Sequence, residues 1–260
     1  YNDAGELIME VVWFKNFKNV IIDLFTLDKF KYAIRNSLLF YGISLLSGAG
    51  VAVFFSYYIF KKKFLGNFFK VMLYLPVIVS SMVITVMYTY FCQKGLPVIC
   101  DRLFNLSIPT FGESTKVQLI YICIYNFILG CGSNVLIYTG TMAGISDSII
   151  EAGQIDGANI IQEFFYIVMP TIFSTYILFI ITGMVTIFTG QANMFNFFGT
   201  GAPDELITLG YYMYVQTQKA GTNYTLYPYL AAYGLTLTLV AIPVIFTLRW
   251  LFNKYGPSEE

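Results

Sequence analysis

The 260-residue chain contains no histidine. That removes the side chain most often used as a metal ligand and as a general base near neutral pH. Charge is scarce as well. Charged residues make up 12% of the chain, and the 15 basic ones balance the 15 acidic ones. With no net charge there is no basic field to hold nucleic acid. The four cysteines (Cys92, Cys100, Cys123 and Cys131) include no CxxC pair. Cys123 and Cys131 fall in one apolar run and read as packing. Cys92 and Cys100 flank what reads as an inter-helix loop, where a disulfide stays open. No G-x-x-x-x-G-K-[ST] phosphate loop occurs. Neither clustered carboxylates nor an ionisable residue lies inside the long apolar runs. This argues against a membrane enzyme and against a self-sufficient ion-coupled transporter. The composition offers no metal site, no cofactor site and no catalytic set.

What is abundant is apolar. The apolar fraction is 57% and the mean hydropathy is +0.66. Charge is absent between Arg35 and Lys61, Lys70 and Lys94, Lys116 and Asp147, Glu163 and Asp204, and Lys219 and Arg249. Each stretch exceeds the roughly 20 residues that a helix needs to cross a bilayer, and none alternates as a barrel strand would. The expected architecture is an all-α, polytopic helical bundle with spans near 36–60, 71–92, 117–142, 168–190 and 226–250. Residues 1–35 mix charged and apolar positions, as an amphipathic segment at the membrane surface or a linker after a preceding helix would.

Small residues Ser44, Gly48 and Ala52 share one face of the first span and allow close helix approach. Pro76 is expected near the start of the second span, where its missing N–H does least harm. In the third span Cys123, Asn126, Gly130, Ser133 and Asn134 form a polar or small stripe at helical spacing. Amides in a lipid-immersed helix need partners, so this stripe faces other helices or a solute path. Tyr125, Asn126, Asn134 and Tyr138 are the path candidates. Thr182, Thr186 and Thr189 are weaker evidence, because threonine bonds its own helix backbone. Arg249 and Trp250 suit an interfacial anchor. The tight Lys61–Lys62–Lys63 cluster with Lys70 marks the 61–70 loop as cytoplasmic. Alternation then puts 143–167 and the 251–260 tail on the same side and 1–35 on the outside.

The segment "EAGQIDGANIIQEFFYIVMP" (151–170) gathers acids between two apolar runs. Ser148-x-x-Glu151 is a capping-box pattern that would start a short helix, with Gly157 to end it. Asn159-x-x-Gln162 offers a second start. The reading is helix, glycine turn, helix outside the bilayer, with its acids solvated or docked to a partner. Glu151 either caps its own helix or meets a partner, and Asp156 is either a turn residue or part of that contact.

This segment resembles the EAA loop of the permease subunits of binding-protein-dependent ABC importers. The motif maps onto Glu151-Ala152-Gly153, Gly157 and Ile167-x-Met169-Pro170, with Gly153 and Met169 replacing the usual Ala and Leu. "DGANIIQEFF" resembles the carbohydrate branch. So do "WFKNF", "RNSLLFYGISLL", "YLPVIVSSMVITVMYTYF" and "GTGAP" (199–203), in order along the chain, in the type of the first permease of maltose-like systems. The resemblance implies a MetI-like permease fold with a first span preceding Tyr1. It also implies ATPase coupling through Glu151, Ala152, Gly153, Asp156, Gly157 and Ala158. The implied partners are a second homologous permease, an ABC ATPase dimer and an extracytoplasmic solute-binding protein, in the lipid bilayer of the cell membrane. The implied cargo is a sugar or oligosaccharide. A non-sugar solute such as a glycerophosphodiester or polyamine, or a secondary transporter, is the alternative.

Overall fold

The structure, a computed structural model, describes residues 14–221 and 226–256. Among them there are helices and no strands. Five stretches are long and apolar enough to cross a membrane: Asp28–Phe60, Ser81–Phe104, Thr115–Met142, Phe173–Phe198 and Tyr227–Lys254.

Helix α1 (Lys15–Thr26) buries Val20 and exposes Ile21, Ile22 and Phe25. It is tied to the last span by Tyr229, whose hydroxyl donates to Asp23 Oδ2 at 2.6 Å. The amphipathic segment expected over 1–35 is thus helical from Lys15, and residues 1–13 lie outside the described residues. The first span, α2 (Asp28–Phe60), starts eight residues before the uncharged run. Lys29, Lys31 and Arg35 are carried on its first turns, where long basic side chains reach water.

The second apolar run is not one span. It divides into α3 (Gly66–Ile78) and α4 (Ser81–Phe104), with Val79 and Ser80 extended between them. Pro76 sits inside α3, near its end. Its missing N–H weakens that turn, and the β-branched Val77-Ile78-Val79 that follows favours extended backbone. Because α4 continues to Phe104, Cys92 and Cys100 lie on one helix. Eight residues at 1.5 Å each separate them by about 12 Å, too far for a disulfide, and both are free thiols.

Helix α5 (Thr115–Met142) is interrupted at Asn134. The segment after it holds α6 (Asp147–Ile155) and α7 (Ile160–Thr171). The fourth apolar run is α8 (Phe173–Thr189), a break at 190–193, and the short α9 (Met194–Phe198). Helix α10 (Leu209–Ala220) is capped by Thr208, and α11 (Tyr227–Tyr255) takes in residues 251–255 of the expected tail, whose residues 257–260 lie outside the described residues. The loop before α10 is pinned to α2. Buried Asn36 donates to the carbonyls of Glu205 and Ile207 at 2.8 and 3.0 Å, and Ser37 Oγ accepts from Leu209 N–H.

Buried side chains form two clusters at opposite ends of the spans. One gathers Phe30, Ala33, Tyr121, Ile122, Met194 and Tyr233; the other gathers Ala52, Tyr57, Val135, Tyr138, Phe164 and Val168. Helices α2 and α5 run through both clusters and approach closely between them. A Cβ on Gly48 would lie 2.6 Å from the Asn134 amide, and one on Gly130 would lie 2.2 Å from Ser47 Oγ. The small-residue faces read from the sequence are what permits this contact.

Candidate functional site

The 143–171 segment folds as helix, turn, helix. Its first cap is Ser146, whose Oγ accepts from Ser148 N–H at 3.3 Å, so the cap falls two residues before the one expected at Ser148. Asp147 occupies the first turn of α6 and complements the helix dipole there. Helix α6 ends in a Schellman arrangement. Ala158 N–H donates to Gly153 O, Gly157 N–H donates to Gln154 O, and Gly157 takes φ +84°. A capping box then starts α7. Gln162 N–H donates to Asn159 Oδ1 at 2.8 Å and Gln162 Oε1 accepts from Asn159 N–H at 2.9 Å.

Glu151 takes no part in capping. It is exposed, as are Ala152, Asp156 and Gly157, with Gly153 and Ala158 half-buried. Beside these acids stand bare apolar side chains, Ile155 at 85% exposure and Tyr166 at 79%. Gly153 lets α6 lie against α7, since a Cβ there would come 2.4 Å from Ile167 Cδ1.

The third acid of the segment is not solvated. Glu163 is 2% exposed. Its carboxylate accepts from Lys61 Nζ at 2.7 and 2.9 Å, from Tyr57 OH at 3.0 Å and from Gln154 Nε2 at 3.2 Å. Burial by itself raises the pKa of this carboxyl. The hydrogen bonds from Lys61, Gln154 and Tyr57, with the charge of Lys61, outweigh it and hold Glu163 below the ordinary carboxylate range. The pair joins the end of α2 to α7, and through Gln154 to α6. Lys61 and the 143–171 segment therefore lie at the same end of the bundle.

A cavity of about 580 Å³ opens between the two buried clusters. It is bounded by α2 at Tyr41, α5 at Asn126 and Ser133, and the two broken spans at Ser81 and Asn193. Irregular backbone at membrane depth is tolerated where it lines a cavity, and both breaks do. Ala192 and Asn193 take left-handed φ of 48° and 60°. Asn126 Nδ2 donates to the carbonyls of Ile122 and Ala192, and its Oδ1 accepts from Asn193 Nδ2 at 3.0 Å. Asn196 Nδ2 continues the chain to Asn193 Oδ1 and Ser81 Oγ.

Of the four path candidates, only Asn126 reaches this cavity. Asn134 packs on Gly48, and Tyr125 is buried with its hydroxyl 2.7 Å from Thr85 Oγ1. Tyr138 is fully buried against Phe179 in the second cluster, its hydroxyl without a partner among the described residues. Asn126 and Asn134 share the polar stripe read from the sequence, whereas Tyr125 and Tyr138 are candidates as aromatic faces for a solute; the helix is interrupted at Asn134. Asn193, which lies just beyond the threonine stripe, and Ser81 carry little signal in the sequence, because their helix breaks fall inside runs that hold no charge. Thr182, Thr186 and Thr189 all donate to carbonyls of their own helix.

No family model matches the chain. In sequence it is 26% identical over 214 residues to a probable ABC transporter permease protein of Mycoplasma genitalium, covering 77% of this chain and 63% of that relative. It is 24% identical over 222 residues to the sn-glycerol-3-phosphate transport system permease protein UgpA of Pectobacterium atrosepticum, covering 85% and 74%. To the arabinooligosaccharides transport system permease protein AraP of Halalkalibacterium halodurans it is 21% identical over 199 residues, covering 74% and 61%. The chain thus spans under two thirds of the Mycoplasma relative's length. In fold it matches a bacterial ABC transporter involved in the import of the acidic polysaccharide alginate, with TM-score 0.75, 18% identity, and coverage of 91% and 83%. It also matches a bacterial alginate ABC transporter in complex with a periplasmic protein bound to alginate pentasaccharide, with TM-score 0.76, 19% identity, and coverage of 92% and 85%.

Proposed function

From a multi-pass membrane chain that has the fold of an ABC importer permease and is similar in sequence to ABC transporter permeases, we propose that it forms half of the membrane path for a sugar or oligosaccharide. Its driving force comes from ATP hydrolysed by a separate ATPase dimer, which docks on the α6–α7 segment. The other half of the path is a second, homologous permease, and an extracytoplasmic solute-binding protein delivers the cargo. The solutes named for the relatives and fold neighbours (sn-glycerol-3-phosphate, arabinooligosaccharides, alginate) support a sugar-type cargo. The neighbour described with a bound periplasmic protein supports delivery of that kind.

One observation carries the coupling reading. Exposed Glu151 and Ile155 stand on a short helix whose direction is set by the left-handed turn at Gly157, and Lys61–Glu163 ties that segment to a span. A push on the segment is therefore a push on α2. The test is Glu151→Lys and Gly157→Val, read by membrane abundance, uptake and ATPase co-purification. A residue with a Cβ at Gly157 resists its backbone by about 1–2 kcal/mol, which misdirects α6 without unseating the spans. Both variants are expected at normal abundance, with uptake lost and co-purified ATPase reduced. Glu151→Gln, which still accepts a hydrogen bond, is expected to be milder. Wild-type uptake from Glu151→Lys and Gly157→Val at matched expression would end the coupling reading.

A further inference from the structure

We propose that the turn joining α2 to α3 is a binding site for anionic phospholipid, with Lys62, Lys63 and Lys70 on the headgroup phosphates and Phe64 set into the acyl boundary. The site depends on the chain's place in a membrane and not on what the chain carries. The turn closes between Phe60, where α2 ends, and Gly66, where α3 begins. Both helices expose apolar side chains near it, Phe54 on α2 and Val71, Met72 and Leu75 on α3. A tight turn between two such helices stays at the level of the lipid headgroups.

The shape of the turn is fixed from within. Gly66 N–H donates to Lys63 O at 2.9 Å, Lys62 N–H to Ile59 O at 2.9 Å, and Tyr58 OH to Phe64 O at 2.7 Å. Lys62 and Leu65 take left-handed φ of 48° and 60°, which glycine would adopt with less strain. Strain that surrounding contacts keep in place points to a functional element. What the turn displays is amphiphilic. Phe64 is 82% exposed, and Leu65 and Phe68 are exposed with it, between Lys63 and Lys70.

Charge selects the headgroup. Lys61 is taken up by Glu163, but the ammonium groups of Lys62, Lys63 and Lys70 meet no hydrogen-bond or ion-pair partner among the described residues. No acid lies between Lys61 and Lys70. Asp147, Glu151 and Asp156 stand exposed on the segment at the same end, and none of them pairs with these lysines. Uncommitted cations beside bare apolar side chains, at headgroup level, complement a phosphate that carries acyl chains. Each such lysine adds attraction to an anionic leaflet, and salt screens it.

The test is Phe64→benzoylphenylalanine, irradiated in native membranes with the whole complex and again after purification into vesicles of equal parts phosphatidylglycerol and phosphatidylcholine. Mass spectrometry identifies what is joined to the chain. Phospholipid adducts are expected in both settings. In the vesicles phosphatidylglycerol adducts are expected in about tenfold or greater excess, since each lysine contributes up to about fivefold. Lys62→Gln, Lys63→Gln and Lys70→Gln are each expected to cut that excess, and the triple variant to return it to the bulk ratio. High salt is expected to lower it as well. Should the triple variant fail to insert, the single variants and the salt series decide. Adducts to the ATPase or to a second permease in place of lipid overturn the inference. So do equal yields from the two lipids, an excess that the lysine substitutions and salt leave unchanged, or no adduct at all.

Discussion

Glu163 shows how a single side chain can change meaning between sequence and fold. In the sequence it is one of three acids in a polar segment, and its neighbours suggest solvent. Its partner Lys61 is 102 residues away, so no local pattern announces the pair. The consequence can be measured through pH. A carboxyl whose folded pKa is lowered contributes stability that is fully present above its unfolded value. That contribution fades as pH falls through the folded value. Glu163→Gln is expected to lower stability by about 1–3 kcal/mol at neutral pH, as hydrogen bonds to a charged group are lost. The gap to the wild type should close in acid, below the ordinary carboxylate range. Thermal unfolding of both proteins across that interval checks it. A gap that stays constant into strong acid would mean that Lys61 does not hold the ionised form.

Among the elements, the spans follow from composition, because only an unbroken helix satisfies its backbone in lipid. Their interruptions do not follow so directly. Only Pro76 and the pair Ser80–Ser81 hint at the first break, and Gly190-Gln191-Ala192-Asn193 marks the second without a charge. Contact between helices depends in turn on where glycines fall. A Cβ on Gly132 in α5 would come 1.9 Å from the Leu73 carbonyl of α3, whereas Gly140, on the same helix, has nothing within 4 Å. Gly132→Ala is therefore expected to force α3 and α5 apart and destabilise by about 1–3 kcal/mol. Gly140→Ala is expected to be neutral or stabilising by up to about 1 kcal/mol, from helix propensity alone. Monodispersity after heating in detergent separates the two. Equal losses would show that the α3–α5 contact is not the limiting one.

On the scale of the whole molecule, the spans are unequally covered. The most apolar window of the Phe173–Phe198 span is 6% buried, against 33% for Thr115–Met142. The first must meet lipid or a second permease along most of its length, and the proposed heterodimer supplies such a surface. The Lys61–Glu163 pair also bears on orientation, since it brings the 61–70 loop and the 143–171 segment to one end. If that end is cytoplasmic, as the lysine cluster implies, a cysteine at exposed Asn67 resists impermeant thiol reagents in intact cells. One at Gly112, in the loop after α4, reacts. Both are made in a background with the four native cysteines replaced by serine. Labelling at Asn67 with protection at Gly112 would invert the orientation.

The sequence by itself determined that the chain crosses a membrane as helices. It also indicated a two-helix segment with a turn at Gly157 and a second start at Asn159–Gln162, with the first cap expected at Ser148 and found at Ser146. Those are local properties: hydropathy over about 20 residues, caps within four, and a φ that only glycine adopts readily. The tertiary structure alone decided which polar residues share a cavity and which are packed away. Asn126, Asn193 and Ser81 come from three apolar runs and meet because two helices break beside the same space. Tyr125 and Tyr138 are instead buried against neighbouring helices, at Thr85 and at Phe179 respectively. Periodicity gives the face of a helix, but only the packing of its neighbours says what that face looks onto.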